Sequence, residues 1–243
     1  MLKLISVNIE KNRHYNTVLP FLDEENADVV CLQEVPEEFS RELGKLGYKT
    51  SFAPMSIDDI DTTIGIMFAS KLPYNSKTVY YHGSADTVVK YGESRKDKTG
   101  SNAYILATVS TLENNFLIAT THMTDTKDGH EDYFQTKCTA NLLDALSKEK
   151  PHLICGDFNM PRGYNSLYEK MTATYTDNIP PKYKSSLDKN LHRLGDKVVD
   201  QPIFDEYMVD YIFTQPPYKA KDVRLEFGIS DHAAVIATIT NEK

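Results

Sequence analysis

Cysteine, tryptophan and long apolar runs are scarce or missing in this sequence of 243 residues. It contains no tryptophan and only three cysteines, Cys31, Cys138 and Cys155. Cysteines so few and so scattered exclude a disulfide framework and a zinc knuckle, and we expect them to be reduced core residues. No stretch approaches the roughly 18 consecutive apolar residues that a membrane span requires. Residues 1–10 alternate like a strand and show no cleavage site, so we expect a soluble, cytoplasmic protein without a secretory leader.

Positive charge is also in deficit, with 27 Lys and Arg against 35 Asp and Glu and a formal net charge of −8. This balance disfavours a protein that binds nucleic acid over its whole surface, because neutralisation of phosphates supplies most of the non-specific affinity for nucleic acid. A local basic groove is still compatible with it. Two stretches, 90–100 and 182–197, are locally basic. The second holds Lys182, Lys184, Lys189, His192, Arg193 and Lys197.

The hydrophobic content and its periodicity predict the fold class. Hydrophobic residues make up 40% of the chain, enough for one sizeable core, and no repeat or linker divides it. We therefore expect a single domain over residues 1–243 and disfavour two small ones. Strand-like runs cover 2–10, 28–35, 63–70, 103–111, 115–123, 152–159, 208–215 and 233–240. Helical patterns cover 37–46 and 131–148, so many strands with few helices predict an α+β fold of two packed sheets with helices outside.

Polar side chains stand at the ends of most of these apolar runs. They are Asn8, Glu34, His122, Asp157, Asn159, Asp210, Asp231 and His232. A strand-to-turn cap would explain any one Asp or Asn, since both accept backbone hydrogen bonds. Eight polar groups that are costly to bury unpaired favour convergence in one site instead. Carboxylate and amide oxygens suit Mg²⁺ or Mn²⁺, and imidazoles can hydrogen-bond a phosphate.

The order of the motifs resembles a known family. "SVNIE", "LQE", "TTH", "GDFN", "DYIF" and "SDH" follow one another at the ends of apolar runs over nearly the whole chain. This order resembles the endonuclease/exonuclease/phosphatase superfamily of metal-dependent phosphoesterases, which includes deoxyribonuclease I, AP endonucleases and sphingomyelinases. The resemblance implies a four-layer α/β/β/α sandwich of the deoxyribonuclease I type, with the site at one end of the two sheets.

The resemblance also implies a cofactor, Mg²⁺ with Mn²⁺ as an alternative. Glu34 looks like the principal ligand, Asn8 lies beside it, and Asp231 resembles a further carboxylate that faces the metal. A strand-end cap is the alternative interpretation of Asn8.

Five further residues resemble the family's reacting groups. Asp157 looks like the residue that orients or deprotonates the attacking water, and Asn159 like the donor that holds the phosphate or that water. His122 and His232 resemble phosphate-binding histidines, with Asp210 holding the ring of His232. A core histidine bonded to backbone is the alternative for His122. No G-x-S-x-G nucleophile motif is present, which favours direct attack by water.

The chain departs from the family pattern in two places. Many members place an arginine before the central strand "AYILATV", where this chain has Asn102, and we expect Arg95, Lys96 or Lys98 to supply the missing charge. Deoxyribonuclease-like members pair the middle histidine with a carboxylate, for which Asp61 is the candidate, with a solvent-facing loop acid as the alternative.

The substrate is predicted from the loops, because the strand ends supply only the common chemistry. His192 and Arg193 are the preferred substrate contacts, together with Asn102. We expect a monomeric nuclease or nucleic-acid-end phosphodiesterase that contacts few phosphates. A small-molecule phosphodiesterase or phosphatase acting on a phosphoinositide- or sphingomyelin-type head group, and a non-catalytic binding module, are the alternatives. The absence of tryptophan near the C-terminal motifs disfavours the AP endonucleases.

Overall fold

The computed structural model describes residues 1–90, 100–126, 129–193 and 205–242. Strands dominate this part of the chain. In chain order they are β1 (Leu2–Asn8), β2 (Val29–Pro36), β3 (Lys49–Ile57), β4 (Thr63–Ser70), β5 (Tyr74–His82), β6 (Asn102–Ser110), β7 (Asn115–His122), β8 (Leu153–Asp157), β9 (Thr176–Asp177), β10 (Asp210–Thr214), β11 (Tyr218–Glu226) and β12 (Ala234–Asn241). The α-helices are α1 (Tyr15–Glu25), α2 (Phe39–Lys45), α3 (Tyr133–Ser147) and α4 (Leu167–Thr172).

The strands form two six-stranded sheets of related design. The first has the order β11-β12-β1-β2-β4-β3 and the second β5-β6-β7-β8-β10-β9. Each sheet contains one parallel pair, β1 with β2 and β7 with β8, and a helix connects the strands of each pair. Because parallel strands end at the same edge of a sheet, each pair delivers two strand ends to one place.

The sheets pack face to face with helices on both outer sides. Strand alternation directs Leu4 of β1 toward the second sheet, while Ile5 packs on the outer side with Val18 of α1 and Phe39 of α2. Cys138 of α3 belongs to the core on the far side of the second sheet. The predicted four-layer α/β/β/α sandwich and the α+β class are confirmed.

Two further predictions can be compared with the structure. The three cysteines are unpaired and buried, as expected of core residues. None of the helices in the described ranges has the length and apolar composition of a membrane span.

Gly156 lies where two strands approach too closely for a side chain. It precedes Asp157 at the end of β8, has a φ of +143° and pairs with Thr121 of the neighbouring β7. A Cβ atom there would lie 2.0 Å from the backbone oxygen of Thr121. Only glycine therefore lets β8 deliver Asp157 beside His122 without displacing the strand.

Gly156→Ala is expected to destabilise the protein by about 3 kcal/mol or more, since a strained φ costs about 1–3 kcal/mol and overpacking costs about 1–3 kcal/mol. Urea unfolding followed by circular dichroism measures the loss. The matched control is Gly44→Ala in α2, where a Cβ meets nothing within 4 Å. That variant should gain about 0.5–1 kcal/mol, as alanine does over glycine in a helix. Equal unfolding midpoints for the two variants would contradict the steric account.

Candidate active site

The polar residues predicted at the strand ends converge at one end of the two sheets. In the second sheet the register places His122 opposite Asp157 and Asp157 opposite Asp210. In the first sheet Asn8 ends β1 next to β2, which carries Glu34. Asn8 bridges the sheets, since its amide nitrogen donates to Asp157 Oδ2 at 3.1 Å and to Glu34 Oε1 at 3.3 Å.

Glu34 reaches the site through an irregularity of β2. Cys31 and Gln33 point between the sheets, so regular alternation would turn Glu34 toward the outer helices. The pairing register shifts between Leu32 and Val35, and Glu34 itself has a φ of +49°. Such a bulge redirects a side chain, and here it aims the carboxylate at Asn8.

The side-chain amide of Asn8 uses both of its polar atoms in this arrangement. Its oxygen accepts the backbone N–H of Glu10 at 3.1 Å, while its nitrogen holds the two carboxylates. Burial raises the pKa of Glu34, but the charge of His122 and the hydrogen bond from Asn8 outweigh burial and leave that pKa lowered. Glu34 is therefore held as a carboxylate, with about a third of its side chain exposed.

Asp157 is an almost fully enclosed carboxylate near the histidines, with 1% of its surface exposed. Burial and the negative charge of Asp210 raise the pKa of Asp157 to about 6, although His232 and His122 oppose the shift. His122 Nε2 lies 3.6 Å from Asp157 Oδ2 and 4.0 Å from Glu34 Oε1. A carboxylate with a pKa this close to neutrality is suited to accept a proton.

His232 and Asp210 form a buried hydrogen-bonded pair. Asp210 Oδ2 lies 2.8 Å from His232 Nδ1, and Asp157 Oδ2 lies 3.8 Å from the same nitrogen. Burial alone would lower the pKa of His232, but the charges of Asp210 and Asp157 raise it well above its usual value. This shift favours the protonated imidazole, whose Nε2 lies on the ring edge away from Asp210.

Asn159 adopts a left-handed conformation, with a φ of +51°. Its backbone N–H donates to Asp157 Oδ1 at 2.9 Å, which is the turn geometry that Asp and Asn favour. Its side-chain nitrogen donates to Met123 O at 2.9 Å and lies 3.3 Å from His122 Nε2. One amide hydrogen is therefore engaged with Met123 O, and the contact with Nε2 holds the ring of His122 in place. The predicted contact of Asn159 with phosphate or water stays a prediction.

Two residues of the site, Glu10 and His14, were not predicted from the sequence. His14 Nε2 lies 3.2 Å from Glu10 Oε2, and one ligand atom from each of Glu10, His14 and Asp231 lies within 4.8 Å of the others. Glu10 follows Asn8 by two positions, which is the spacing that keeps two side chains on one face of a strand. That spacing could have identified Glu10, whereas nothing local distinguishes His14.

The carboxylates of this corner fit a divalent cation. Burial raises the pKa of Glu10, and the negative charges of Asp231 and Glu34 raise it further. Burial and the charge of Glu34 likewise raise the pKa of Asp231, while His232 opposes the shift. A cation would offset this mutual repulsion, and carboxylate oxygens are the ligands that Mg²⁺ prefers. Asp157, Asp210 and His232 also lie within 4.8 Å of one another, but His232 Nδ1 is engaged with Asp210.

The predicted substrate contact His192 lies at the edge of the site. The backbone N–H of Asp188 donates to Asp231 O at 2.8 Å, and that of His192 donates to Asp188 O at 2.8 Å. Burial lowers the pKa of His192, and the charge of His232 lowers it further. The structure thus brings His192 within electrostatic reach of His232. Arg193 follows and is exposed.

The contacts of the described residues place Asn102 against α3 and Asp61 against Lys90. Asn102 is buried at the start of β6, and its side-chain oxygen accepts from the Cys138 thiol of α3 at 4.0 Å. Asp61 is an exposed loop acid, the alternative that the sequence left open, and pairs with Lys90 at 2.6 Å. Four predicted residues lie outside the described residues. Arg95, Lys96 and Lys98 are the cations expected to replace the family's arginine, and Lys197 is a lysine of the second basic stretch.

Comparison with known proteins identifies the family. The sequence profile of the Endonuclease/Exonuclease/phosphatase family matches residues 5–232, which include every motif described above. The chain belongs to this family. Its members are phosphoesterase hydrolases, and the chain is a phosphoesterase. A sequence search of curated proteins found no match.

Solved structures of family members share the fold at low sequence identity. The human nocturnin catalytic domain with bound sulfate is 17% identical, with a TM-score of 0.72 over 99% of this chain and 93% of that one. ANGEL2, a 2′,3′-cyclic phosphatase in complex with adenosine-2′,3′-vanadate, is 17% identical, with a TM-score of 0.66 over 100% and 96%. The Bacteroides thetaiotaomicron mannosyl-6-phosphatase Bt3783 is 14% identical, with a TM-score of 0.63 over 99% and 100%. The family's shared fold thus accompanies unlike substrates.

Proposed function

We propose that this phosphoesterase hydrolyses phosphodiester bonds of nucleic acid, near an end or in a short strand, by direct attack of water. The observation that supports the proposal is the convergence of Asp157, His122 and the Asp210–His232 pair on one point between the sheets. A phosphodiester is anionic, so its hydrolysis needs a positioned water and positive charge on the phosphate oxygens. These residues can supply a proton acceptor and two imidazoles there.

Each residue then has a role that follows from its surroundings. With a pKa of about 6, Asp157 is mainly ionised at neutral pH and accepts a proton from the attacking water. His232, held in its charged form by Asp210, donates a hydrogen bond from Nε2 to a phosphate oxygen. His122 contacts a second oxygen while Asn159 fixes its ring.

We propose Mg²⁺ as the cofactor, with Mn²⁺ as the alternative. Glu34, Glu10 and Asp231 would hold it, and Asn8 would orient Glu34. When bound, the ion supplies positive charge to the phosphate and to the developing oxyanion.

The nucleic-acid substrate is supported by the basic segment at the edge of the site. Residues 186–188 pair with residues 231–233, and the backbone of His192 bonds to Asp188, so His192 and Arg193 can reach a phosphate next to the reacting one. The neighbouring structure of ANGEL2 contains an adenosine derivative. The second candidate is a phosphatase for a small phosphorylated molecule, favoured by the whole-length likeness to the mannosyl-6-phosphatase.

Salt dependence of binding is expected to separate the two candidates. Duplex DNA shows a log–log salt slope of roughly −0.9 per neutralised phosphate, and we expect a slope on the order of −2 to −4. Arg193→Ala with Lys189→Ala should make it shallower, whereas Lys148→Ala at the exposed residue that follows α3 should leave it unchanged. Equilibrium binding of an uncleavable oligonucleotide in Ca²⁺ measures the slope. A slope steeper than about −6 would refute a small footprint, and no binding would favour the small-molecule phosphatase.

We further propose that the enzyme is one domain, acts as a monomer and works in the cytoplasm. Both sheets contribute to one core, and the unpaired cysteines suit a reducing compartment. A binding module that lost its chemistry is disfavoured, because the whole set of reacting side chains is present.

A further inference from the structure

Two exposed aromatic rings lie stacked on the loops that follow the second sheet's parallel strands. His130 belongs to the loop between β7 and α3, and Tyr164 to the loop between β8 and α4. Their ring centroids are 4.0 Å apart and their planes meet at 24°. His130 is exposed, and Tyr164 is 51% exposed. We call His130 and Tyr164 the ring pair.

A buried amide network fixes the two loops to each other and to Asn159. Gln135 and Asn165 are 0% and 1% exposed. Gln135 Nε2 donates to Thr124 O at 3.0 Å and to Asn159 O at 2.9 Å. Asn165 Nδ2 donates to Gln135 Oε1 and to Gly129 O, both at 2.9 Å. With every amide hydrogen bonded, such a network holds the residues on either side of the ring pair in a fixed arrangement.

The network ends directly beside the ring pair. Gly129 precedes His130 in the chain, and Asn165 follows Tyr164. On the other side, Glu131 accepts from the Ser166 hydroxyl at 2.7 Å, so a second contact ties the same loops. The rings are therefore presented by a preformed scaffold and do not depend on their mutual stacking for position.

From this geometry we infer that the ring pair is a stacking subsite for a nucleobase adjacent to the scissile phosphate. The side chains of Gln135 and Asn165 link the backbone oxygen of Asn159 to the residue that follows Tyr164, so the ring pair stands on the same loops as Asn159. The Glu131 carboxylate next to it disfavours a phosphate, whereas a flat neutral base can stack on an aromatic face. Two rings are also too little apolar surface to hold a lipid bilayer. The inference rests on the proposed nucleic-acid substrate, which it makes more specific.

The kinetic test compares thymidylyl-(3′→5′)-thymidine with its two analogues in which one base is replaced by an abasic tetrahydrofuran. Stacking contributes about 1–3 kcal/mol per base. We expect the wild type to prefer the complete dinucleotide over one analogue by roughly tenfold in kcat/KM. Tyr164→Ala should remove this preference while leaving the rate on that analogue within about twofold, and Tyr164→Phe should restore it. Tyr133→Ala, which truncates an 84% exposed aromatic residue outside the pair, is the matched control and should keep the preference.

A binding experiment tests the subsite without relying on catalysis. Stacking quenches 2-aminopurine, so the wild type in Ca²⁺ should quench 2-aminopurine deoxyriboside 5′-monophosphate, and both His130→Ala and Tyr164→Ala should lose the quenching. Quenching without cleavage of the dinucleotide would reject the proposed nuclease activity and uphold the ring pair. No quenching by the wild type, equal quenching by the variants, or an unchanged base preference in Tyr164→Ala would overturn the inference.

Discussion

Asp157→Asn is expected to lower kcat by about 10²- to 10⁴-fold, the usual cost of losing a general base. The substitution keeps the shape of the side chain and an oxygen for the Asn159 backbone N–H, so the fold should persist. It removes the group whose pKa is raised to about 6 and which lies between His122 and His232. Steady-state hydrolysis of an aryl phosphodiester measures kcat, and circular dichroism checks the fold.

Asp144→Asn is the matched control for this substitution. Asp144 is an exposed aspartate of α3 that pairs with Lys148, so its loss should leave kcat unchanged. A decrease in kcat of less than about tenfold in Asp157→Asn, with the fold intact, would indicate that Asp157 acts only as a strand-end cap.

Glu34→Gln is expected to weaken Mg²⁺ binding and to remove nearly all turnover without unfolding the protein. Loss of an outer partner of a metal ligand already costs about 10- to 100-fold in affinity, and we expect at least that for Glu34. The glutamine keeps the size of the side chain but lacks the charge that the bulge in β2 brings to the site. Isothermal titration with Mg²⁺ and the Mg²⁺ dependence of kcat measure the effect.

Glu42→Gln on the exposed side of α2 provides the control, because Glu42 pairs only with Lys45 among the described residues. It should bind Mg²⁺ as the wild type does. Wild-type activity of Glu34→Gln at submillimolar Mg²⁺ would reject the ligand role.

The interior strands could be predicted from the sequence, but the edge strands could not. All eight predicted runs became interior strands of the two sheets, and β4 has the predicted bounds of 63–70. The strands that the periodicity missed are β3, β5, β9 and β11, which are the four sheet edges. Edge strands are partly exposed on both faces, as β5 shows with only one buried residue, so they lack the apolar runs that identify interior strands.

The site residues followed from the sequence as strand ends, but their mutual geometry did not. The convergence of Asp157, His122 and Asp210 follows from neighbouring strands, since β7 and β8 end and the antiparallel β10 begins at one edge. The orientation of the Glu34 side chain toward the site depends on a β-bulge, which no local sequence motif predicts. The engagement of the Asn159 amide with Met123 and His122 depends on the packing of two loops.

The central claim is that the groups at the sheet ends form a Mg²⁺-dependent phosphodiesterase. The most direct measurement is hydrolysis of bis(p-nitrophenyl) phosphate by chelator-stripped enzyme as Mg²⁺ is added back. We predict no turnover in EDTA and saturable turnover with Mg²⁺, lost again in Glu34→Gln. Equal turnover in EDTA and in Mg²⁺, or none for any phosphodiester with the folded wild type, would contradict the account.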